Sequence, residues 1–334
     1  MVELDSIIHF LEDDLRGVEG VLRESSRSVA ALIPEVGEHT FVSGGKRLRP
    51  VLVLLTSRLC GYQGPRALQI AAVVEYFHSA SLLHDDVVDH ASVRRGRPSA
   101  NARFGERHAI LVGDFMYARA CQMLVEDGSI DILSLYAEAL RQMTEGEVLQ
   151  LSQSFDPEVG ESVYMEVIGR KTASLLAAAT ESGAILGGVT RAERRSVHGY
   201  GWDLGLAFQL VDDALDYTGD VAQVGKPLLQ DLAEGKVTLP LLATLKRCSV
   251  GERDTIGSIL KTLAREAAEG AGPPDPLELA RVAECVERYQ GVAVTLARAR
   301  ERAAKARAKI EPFAESRAKQ ALLELTEFVV QRKS

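Results

Sequence analysis

Cysteine is scarce in this chain of 334 residues, and no cysteine lies close to another. The C-x-x-C pair that is typical of zinc sites and redox-active disulfides is absent. The composition therefore excludes a disulfide-stabilised secreted scaffold and argues against structural zinc. We expect reduced thiols in a reducing cytosol for all four cysteines, Cys60, Cys121, Cys248 and Cys285.

Long hydrophobic runs are also missing, and the first residues lack the basic stretch and apolar core of a secretory signal. The two most apolar segments, 67–83 and 173–189, are interrupted by Glu75, His78 and Glu181. Charged and polar residues at these positions favour buried core helices over membrane spans. We therefore expect a cytoplasmic protein without stable membrane insertion.

A basic excess is absent, because 39 Lys and Arg stand against 47 Asp and Glu, a net charge of -8. This balance disfavours nucleic acid as a partner. The segment 296–309 is locally basic, but its alanines and the apolar residues after it predict a helix that packs on one face. We expect its charges to form a solvated surface.

Strand signals are missing, since no run alternates apolar and polar residues between hairpin turns. Apolar residues instead recur at helical spacing, as in Leu52, Leu55 and Leu59. The 11 prolines mostly fall where such helices begin or stop. With no fixed repeat and only 269–276 as a plausible flexible loop, the pattern predicts an all-α fold with a single domain, 1–334.

Several nucleotide and metal motifs are absent. Gly44-Gly45-Lys46 lacks the earlier glycine of a P-loop, no dinucleotide glycine fingerprint occurs, and the alternating acidic loop of an EF-hand is missing. No Ser-His-Asp or Cys-His arrangement stands out as a nucleophilic centre. The chemistry must therefore come from other residues.

Two aspartate clusters stand out within apolar helical runs. The first triad is Asp85, Asp86 and Asp89, and the second triad is Asp212, Asp213 and Asp216. Aspartates at i and i+4 share one face of a helix, where like charges cost roughly 0.2–0.5 kcal/mol in water and more in apolar surroundings. A single such triad could equally cap a helix or lie on a solvated face, but two copies favour a divalent cation.

Carboxylate-only ligands favour Mg²⁺ over zinc or copper, and Mg²⁺ usually completes its shell with water and substrate phosphates. The triads thus indicate a phosphorylated ligand. Local cations could bind it even in this acidic chain, at 44–50, 94–98, 170–172, 225–226 and 235–236.

These motifs together resemble those of the trans-isoprenyl diphosphate synthases, the polyprenyl synthetase family, in one order over most of the chain. The similar segments are GGKRLRP (44–50), EYFHSASLLHDDVVDHASVRRGRP (75–98), LVGDFMYARA (111–120), EGEVLQL (145–151), GRKTASLL (169–176), FQLVDDALDY (208–217) and 225–242. The resemblance implies a bundle of long helices around a deep central cavity, the isoprenoid synthase type.

The resemblance also implies a metal site. Asp85, Asp89 and Asp212 would bind Mg²⁺ directly, and about three ions would bridge the triads to an allylic diphosphate and stabilise its departure. Asp86, Asp213 and Asp216 would act through water or by orienting their neighbours.

Other matching residues would hold the two substrates. Isopentenyl diphosphate would be bound by Lys46, Arg49, His78 and Arg95. The allylic diphosphate would be bound by Arg94, Lys171, Thr172, Gln209, Lys226 and Lys236, of which Lys171 and Lys226 would also be catalytic. The implied reaction is ionisation, attack by the isopentenyl double bond and loss of a proton, with no protein nucleophile.

Ala80 and Ser81 lie near Asp85 on the same predicted helix. Bulky residues at these positions shorten the products of similar enzymes, so two small ones suggest a long-chain enzyme of the octaprenyl type. Small residues could also serve close helix packing alone, and a geranylgeranyl diphosphate synthase is the nearest alternative.

A regulatory subunit of a heteromeric synthase would be expected to lose aspartates that this chain keeps. A terpene cyclase would need no isopentenyl site. The resemblance further suggests a homodimer.

Overall fold

The computed structural model describes residues 4–42, 47–94, 96–218, 228–270, 272 and 274–332. The helices are α1 (Leu4–Phe10), α2 (Glu12–Ser25), α3 (Leu32–Val42), α4 (Leu48–Leu59), α5 (Arg66–Val88), α6 (Ala100–Phe104), α7 (Glu106–Asp127), α8 (Ile130–Ser152), α9 (Glu161–Ile168), α10 (Ser174–Leu186), α11 (Arg191–Thr218), α12 (Gln230–Ala233), α13 (Leu239–Leu245), α14 (Val250–Ala268), α15 (Pro276–Arg288), α16 (Gly291–Ile310) and α17 (Arg317–Gln331). A π-helical segment, Gly169–Ala173, joins α9 to α10. The prediction of an all-α fold is confirmed.

One short ribbon departs from the helical pattern. Strands β1 (Val93–Arg94) and β2 (Arg97–Pro98) pair antiparallel, with Arg94 opposite Arg97. Gly96 lies between them with φ of 73°, a conformation that costs glycine little. Two residues per strand are too few to show alternation in the sequence.

The chain folds into two compact units. The first unit contains Met1–Arg141, Ser174–Trp202 and Lys305–Phe328, and the second contains Gln142–Ala173, Asp203–Ala304 and Val329–Ser334. Both are built from segments that are distant in sequence. One domain over 1–334 stays a prediction.

In the first unit, α5 is the central helix and packs against α2, α4 and α7. It is buried nearly all round, and Tyr76 within it donates a hydrogen bond to the carbonyl of Leu22 (3.0 Å). Helix α10 packs closely on α4, because a Cβ on Gly183 would lie 2.6 Å from the backbone nitrogen of Ser57. The two most apolar segments thus lie mostly in buried helices, and among the described residues no helix is long and apolar enough to cross a membrane.

In the second unit, every residue of α13 is buried, and this helix packs against α9 and α15. The basic stretch 296–309 lies in α16 as predicted, with 296–304 assigned to the second unit and 305–309 to the first. Its alanines Ala299 and Ala303 are buried, whereas most of its arginines and lysines are exposed.

Candidate active site

The structure describes most of the predicted site residues, which divide between the two units. Lys46, Arg95 and Lys226 lie outside the described residues. The first unit holds Arg49, His78, Ala80, Ser81, the first triad and Arg94; the second unit holds Lys171, Thr172, Gln209, the second triad and Lys236.

The first triad lies at the carboxyl end of α5. Asp85 and Asp86 are in its last turn, and Asp89 is the residue that follows the helix. The backbone N–H of Asp89 still donates to the carbonyl of Asp85 (2.8 Å), so helical spacing extends to the third aspartate. Asp85 and Asp89 are half-buried, which leaves part of each side chain accessible.

The middle residue of this triad, Asp86, is 3% exposed and is held by Arg94. The Nε and Nη2 atoms of Arg94 lie 2.7 and 2.6 Å from Asp86 Oδ1. Asn101 adds hydrogen bonds to the carbonyls of Asp86 and Ala91, both of 3.0 Å. Arg94 therefore neutralises a buried carboxylate, and its contact with a diphosphate stays a prediction.

The position of the His84 side chain requires glycine at residue 113, within the LVGDFMYARA segment. The Nε2 atom of His84 lies 3.1 Å from the carbonyl oxygen of Ile110 on α7. A Cβ on Gly113 would lie 2.3 Å from that nitrogen, so only glycine lets the imidazole sit between α5 and α7. Gly113 thus makes room for the side chain that directly precedes Asp85.

Arg47 anchors the start of α4, the helix of Arg49. Its backbone has φ of 48°, and its guanidinium lies 2.5 Å from Glu75 Oε1 on α5 and donates to the carbonyl of Phe41 (2.8 Å). Glu75 is only 7% exposed, so this ion pair ties α4 to α5, which also carries His78. The pairing was not evident from the sequence, because the two residues are 28 positions apart.

The second triad lies near the end of α11 and differs in burial from one residue to the next. The Asp212 side chain is 40% exposed, whereas Asp213 and Asp216 are buried. Asp212 Oδ1 accepts a hydrogen bond from Arg332 Nη2 (2.6 Å), and the Arg332 guanidinium also stacks 3.9 Å from the centre of the Phe208 ring. Asp216 Oδ2 accepts from the backbone N–H of Asp231 (3.1 Å).

Asp213 is held by two neutral donors, the hydroxyl of Tyr164 and the amide of Gln209. Burial, and then the nearby Asp231 carboxylate, raise the pKa of Asp213 to about 8. No sequence pattern points to Tyr164, which lies 49 residues before Asp213.

The π-helical segment carries two predicted ligands of the diphosphate. Lys171 Nζ lies 2.5 Å from Glu147 Oε2 and donates to Gln150 Oε1 (2.8 Å). Thr172 Oγ1 donates to Gln209 Oε1 (2.9 Å). π-Helical turns are often found at functional sites. This one brings the Thr172 hydroxyl to the second triad's helix and the Lys171 ammonium to α8.

Two glycines allow the π-helical segment to pack. A Cβ on Gly146 of α8 would lie 2.7 Å from the backbone nitrogen of Lys171, and one on Gly205 of α11 would lie 2.6 Å from the Cα of Ala173. The EGEVLQL segment thus supplies both the room for this segment and the acceptors for Lys171. Lys236, predicted to bind the same diphosphate, lies 2.6 Å from Glu234 Oε2.

The donor set fits a hard divalent cation. Among the described residues, no three side chains of His, Cys, Asp or Glu form a ready-made metal cage. Mg²⁺ does not need one, because it is usually bound by one or two carboxylates with water and phosphate oxygens. Asp85, Asp89 and Asp212 are the triad members whose side chains remain partly accessible.

Comparison with known proteins shows which family the chain is similar to. The family model described as polyprenyl synthetase matches residues 30–271. An octaprenyl diphosphate synthase of Haemophilus influenzae is 40% identical over 99% of this chain and 98% of its own length.

Solved structures are similar over nearly the whole chain. A polyprenyl synthase from Caulobacter crescentus, complexed with calcium and isoprenyl diphosphate, has a TM-score of 0.92 and 38% identity, covering 99% of this chain and 98% of that one. A decaprenyl diphosphate synthase from Rhodobacter capsulatus has a TM-score of 0.92 and 35% identity, covering 99% and 100%.

Proposed function

The chain belongs to the polyprenyl synthetase family, and from this membership we propose that it condenses isopentenyl diphosphate with an allylic prenyl diphosphate to give octaprenyl diphosphate. It is a long-chain trans-prenyltransferase, as predicted. The main support for this function is the full-length similarity to an octaprenyl diphosphate synthase. The chain also has two aspartate triads, and each lies at or near the end of a helix.

Asp85, Asp89 and Asp212 would hold Mg²⁺, with about three ions per active site. Bound Mg²⁺ supplies positive charge to the diphosphate leaving group. The protein prepares these carboxylates by fixing their neighbours: Arg94 holds Asp86, and the backbone N–H of Asp231 holds Asp216.

The allylic diphosphate would contact Arg94, Lys171, Thr172, Gln209, Lys226 and Lys236. Lys171 is oriented by Glu147 and Gln150, so its ammonium is already in place when the substrate arrives. A positioned ammonium stabilises charge that grows on the departing diphosphate.

Isopentenyl diphosphate would be bound by Lys46, Arg49, His78 and Arg95. The Arg47–Glu75 ion pair supports this assignment, because it fixes Arg49 and His78 on two helices that pack together. Its role would be to keep the Arg49 and His78 side chains in one place while the isopentenyl double bond attacks.

The deciding experiment incubates the protein with Mg²⁺, isopentenyl diphosphate and farnesyl diphosphate and identifies the products. We expect isopentenyl units to be added beyond geranylgeranyl diphosphate. Geranylgeranyl diphosphate as the final product would favour a geranylgeranyl diphosphate synthase. Release of diphosphate without incorporation of isopentenyl units would favour a terpene cyclase. Activity only after mixing with a second, different chain would favour a regulatory subunit.

Ala80 and Ser81 would line the pocket that sets chain length. Ala80 is fully buried in α5, so a phenylalanine there would overpack the core at a cost of about 1–3 kcal/mol. Ser81 is half-buried, and its hydroxyl only donates to the carbonyl of His78 (2.8 Å). Ser81 is therefore the better position for a test.

We expect Ser81→Phe to shorten the main product while total isopentenyl incorporation falls less than about tenfold. The phenyl ring would stop the growing chain before full length. Product chromatography with mass spectrometry measures the shift, and Ser81→Ala, which keeps a small side chain, is the control. Full-length product from Ser81→Phe would contradict the assignment.

The protein would work as a homodimer through α7. Leu111 is 64% and Val125 66% exposed, and with Ala118 between them they recur every seventh residue along one face. Such an apolar stripe is typical of an interface between copies of one chain.

The reduced thiols of all four cysteines fit the cytoplasm as the place of action.

We expect Leu111→Asp to weaken dimerisation at least tenfold, about 1.4 kcal/mol, because it places a charge in an apolar interface. Analytical ultracentrifugation measures the dimer dissociation constant. Leu277→Asp is the control, since Leu277 is 71% exposed on α15. A monomeric wild type, or an unchanged constant for Leu111→Asp, would contradict the proposal.

A further inference from the structure

Tyr164 joins α9 to the middle carboxylate of the second triad. The residue is 4% exposed, and its hydroxyl donates to Asp213 Oδ2. Burial, and then the nearby Asp213 carboxylate, raise the pKa of Tyr164 well above its ordinary value, so the hydroxyl keeps its proton and remains a donor.

The other oxygen of the same carboxylate is also occupied. Asp213 Oδ1 accepts from Gln209 Nε2 (2.8 Å), and Gln209 Oε1 accepts from Thr172 Oγ1 (2.9 Å). The chain of bonds therefore runs from the π-helical segment through Gln209 to Asp213 and ends at Tyr164. It fixes the amide orientation of Gln209 and the rotamer of Asp213 together.

The two triads hold their middle aspartates differently. Asp86 is paired with a cation, Arg94, whereas the described partners of Asp213 are a hydroxyl and an amide, which are uncharged. Neutral donors orient a carboxyl group through the geometry of their hydrogen bonds. In the second triad the middle residue is therefore held from both oxygens by hydrogen bonds, one position away from Asp212.

We propose that Tyr164 is a positioning residue for the metal that the second triad binds. By holding Asp213, it fixes the turn of α11 on which Asp212 stands and keeps Asp213 from turning to the metal itself. This inference rests on the proposed function, because it takes Asp212 as a metal ligand. Removing such an orienting partner typically costs 10–100-fold in metal affinity, and we expect about tenfold in this protein.

The test compares the full-length wild type with Tyr164→Phe. Mn²⁺ binding is measured by electron paramagnetic resonance with inorganic pyrophosphate present, and the Mg²⁺ dependence of isopentenyl incorporation is measured separately. For Tyr164→Phe we expect about tenfold weaker Mn²⁺ binding, a similar rise in the half-saturating Mg²⁺ concentration, and recovery of kcat at high Mg²⁺. KM for isopentenyl diphosphate should not change.

Tyr136→Phe is the matched control. Tyr136 is fully buried, and its hydroxyl lies 3.2 Å from Ser182 Oγ, a neutral partner. This variant should show a lower melting temperature with unchanged Mn²⁺ affinity.

Two outcomes separate the inference from the proposed function. Unchanged Mn²⁺ binding and Mg²⁺ dependence in folded Tyr164→Phe would overturn the role of Tyr164 alone. A wild type that fails to incorporate isopentenyl diphosphate would overturn the proposed function. If Tyr164→Phe does not fold, Gln209→Met removes the donor to the other Asp213 oxygen. Because Gln209 is also proposed to contact the diphosphate, Mn²⁺ binding of this variant is measured without pyrophosphate, and an affinity equal to that of the wild type would overturn the inference.

Discussion

Asp85→Asn and Asp212→Asn variants are expected to lose about 10³-fold in kcat/KM for prenyl elongation and to remain folded. Each substitution removes the charge of a carboxylate that we propose binds Mg²⁺. Without that charge, less positive charge would be held against the leaving diphosphate. Steady-state kinetics with saturating Mg²⁺ measure the loss.

Asparagine is preferred to alanine at Asp212 because of Arg332. The Arg332 side chain is 6% exposed and lies 2.6 Å from Asp212 Oδ1. Alanine would leave a buried guanidinium without this partner and lower the free energy of unfolding by roughly 3–5 kcal/mol. Asparagine keeps an oxygen that accepts the hydrogen bond from Arg332.

Asp13→Asn is the control for loss of a carboxylate. The Asp13 side chain is 93% exposed and pairs with Arg16 on the surface of α2, so neither activity nor stability should change. If the Asp85 and Asp212 variants fold and elongate at the wild-type rate, the metal assignment is wrong.

Gly146→Ala is expected to lower activity by about 100-fold and stability by roughly 1–3 kcal/mol. The new Cβ would lie 2.7 Å from the backbone nitrogen of Lys171 and 2.9 Å from Cβ of Arg170, so the π-helical segment must move. Lys171 and Thr172 would then lose their alignment with the diphosphate. Kinetics in the allylic substrate and thermal unfolding measure the two effects.

Gly20→Ala is the control, a glycine substitution at a helix position with room for the added methyl group. A Cβ built on Gly20 of α2 would lie in open space. The change should therefore stabilise the protein by about 0.5–1 kcal/mol and leave activity unchanged. Equal activity in both glycine variants would show that the packing of Gly146 does not position Lys171.

The helices of the active site could be predicted well from the sequence, for a physical reason. The spacing of Asp85 with Asp89 and of Asp212 with Asp216 is helical, and both triads lie at the ends of long apolar helices. The helical spacing of apolar residues can be recognised in a sequence because it involves residues only three or four positions apart. Only Asp89 differs slightly, since it follows α5 rather than lying within it.

Contacts between distant residues could not be predicted in the same way. Tyr164 is one of several aromatic residues in apolar helices, and nothing near it in the sequence indicates that its hydroxyl reaches Asp213. The π-helical turn at Gly169–Ala173 has the composition of an ordinary helix, and it forms where Gly146 and Gly205 leave room for it. Tertiary packing decides both features.

The contact of Arg332 with Asp212 bears on how the protein should be prepared. An affinity tag fused shortly after Arg332 would be attached close in sequence to this buried guanidinium, which pairs with a carboxylate that we propose the reaction needs. A histidine-rich tag there would also bring competing metal ligands to the second triad. Purification handles therefore belong at the amino-terminal end, with preparations compared before and after their proteolytic removal.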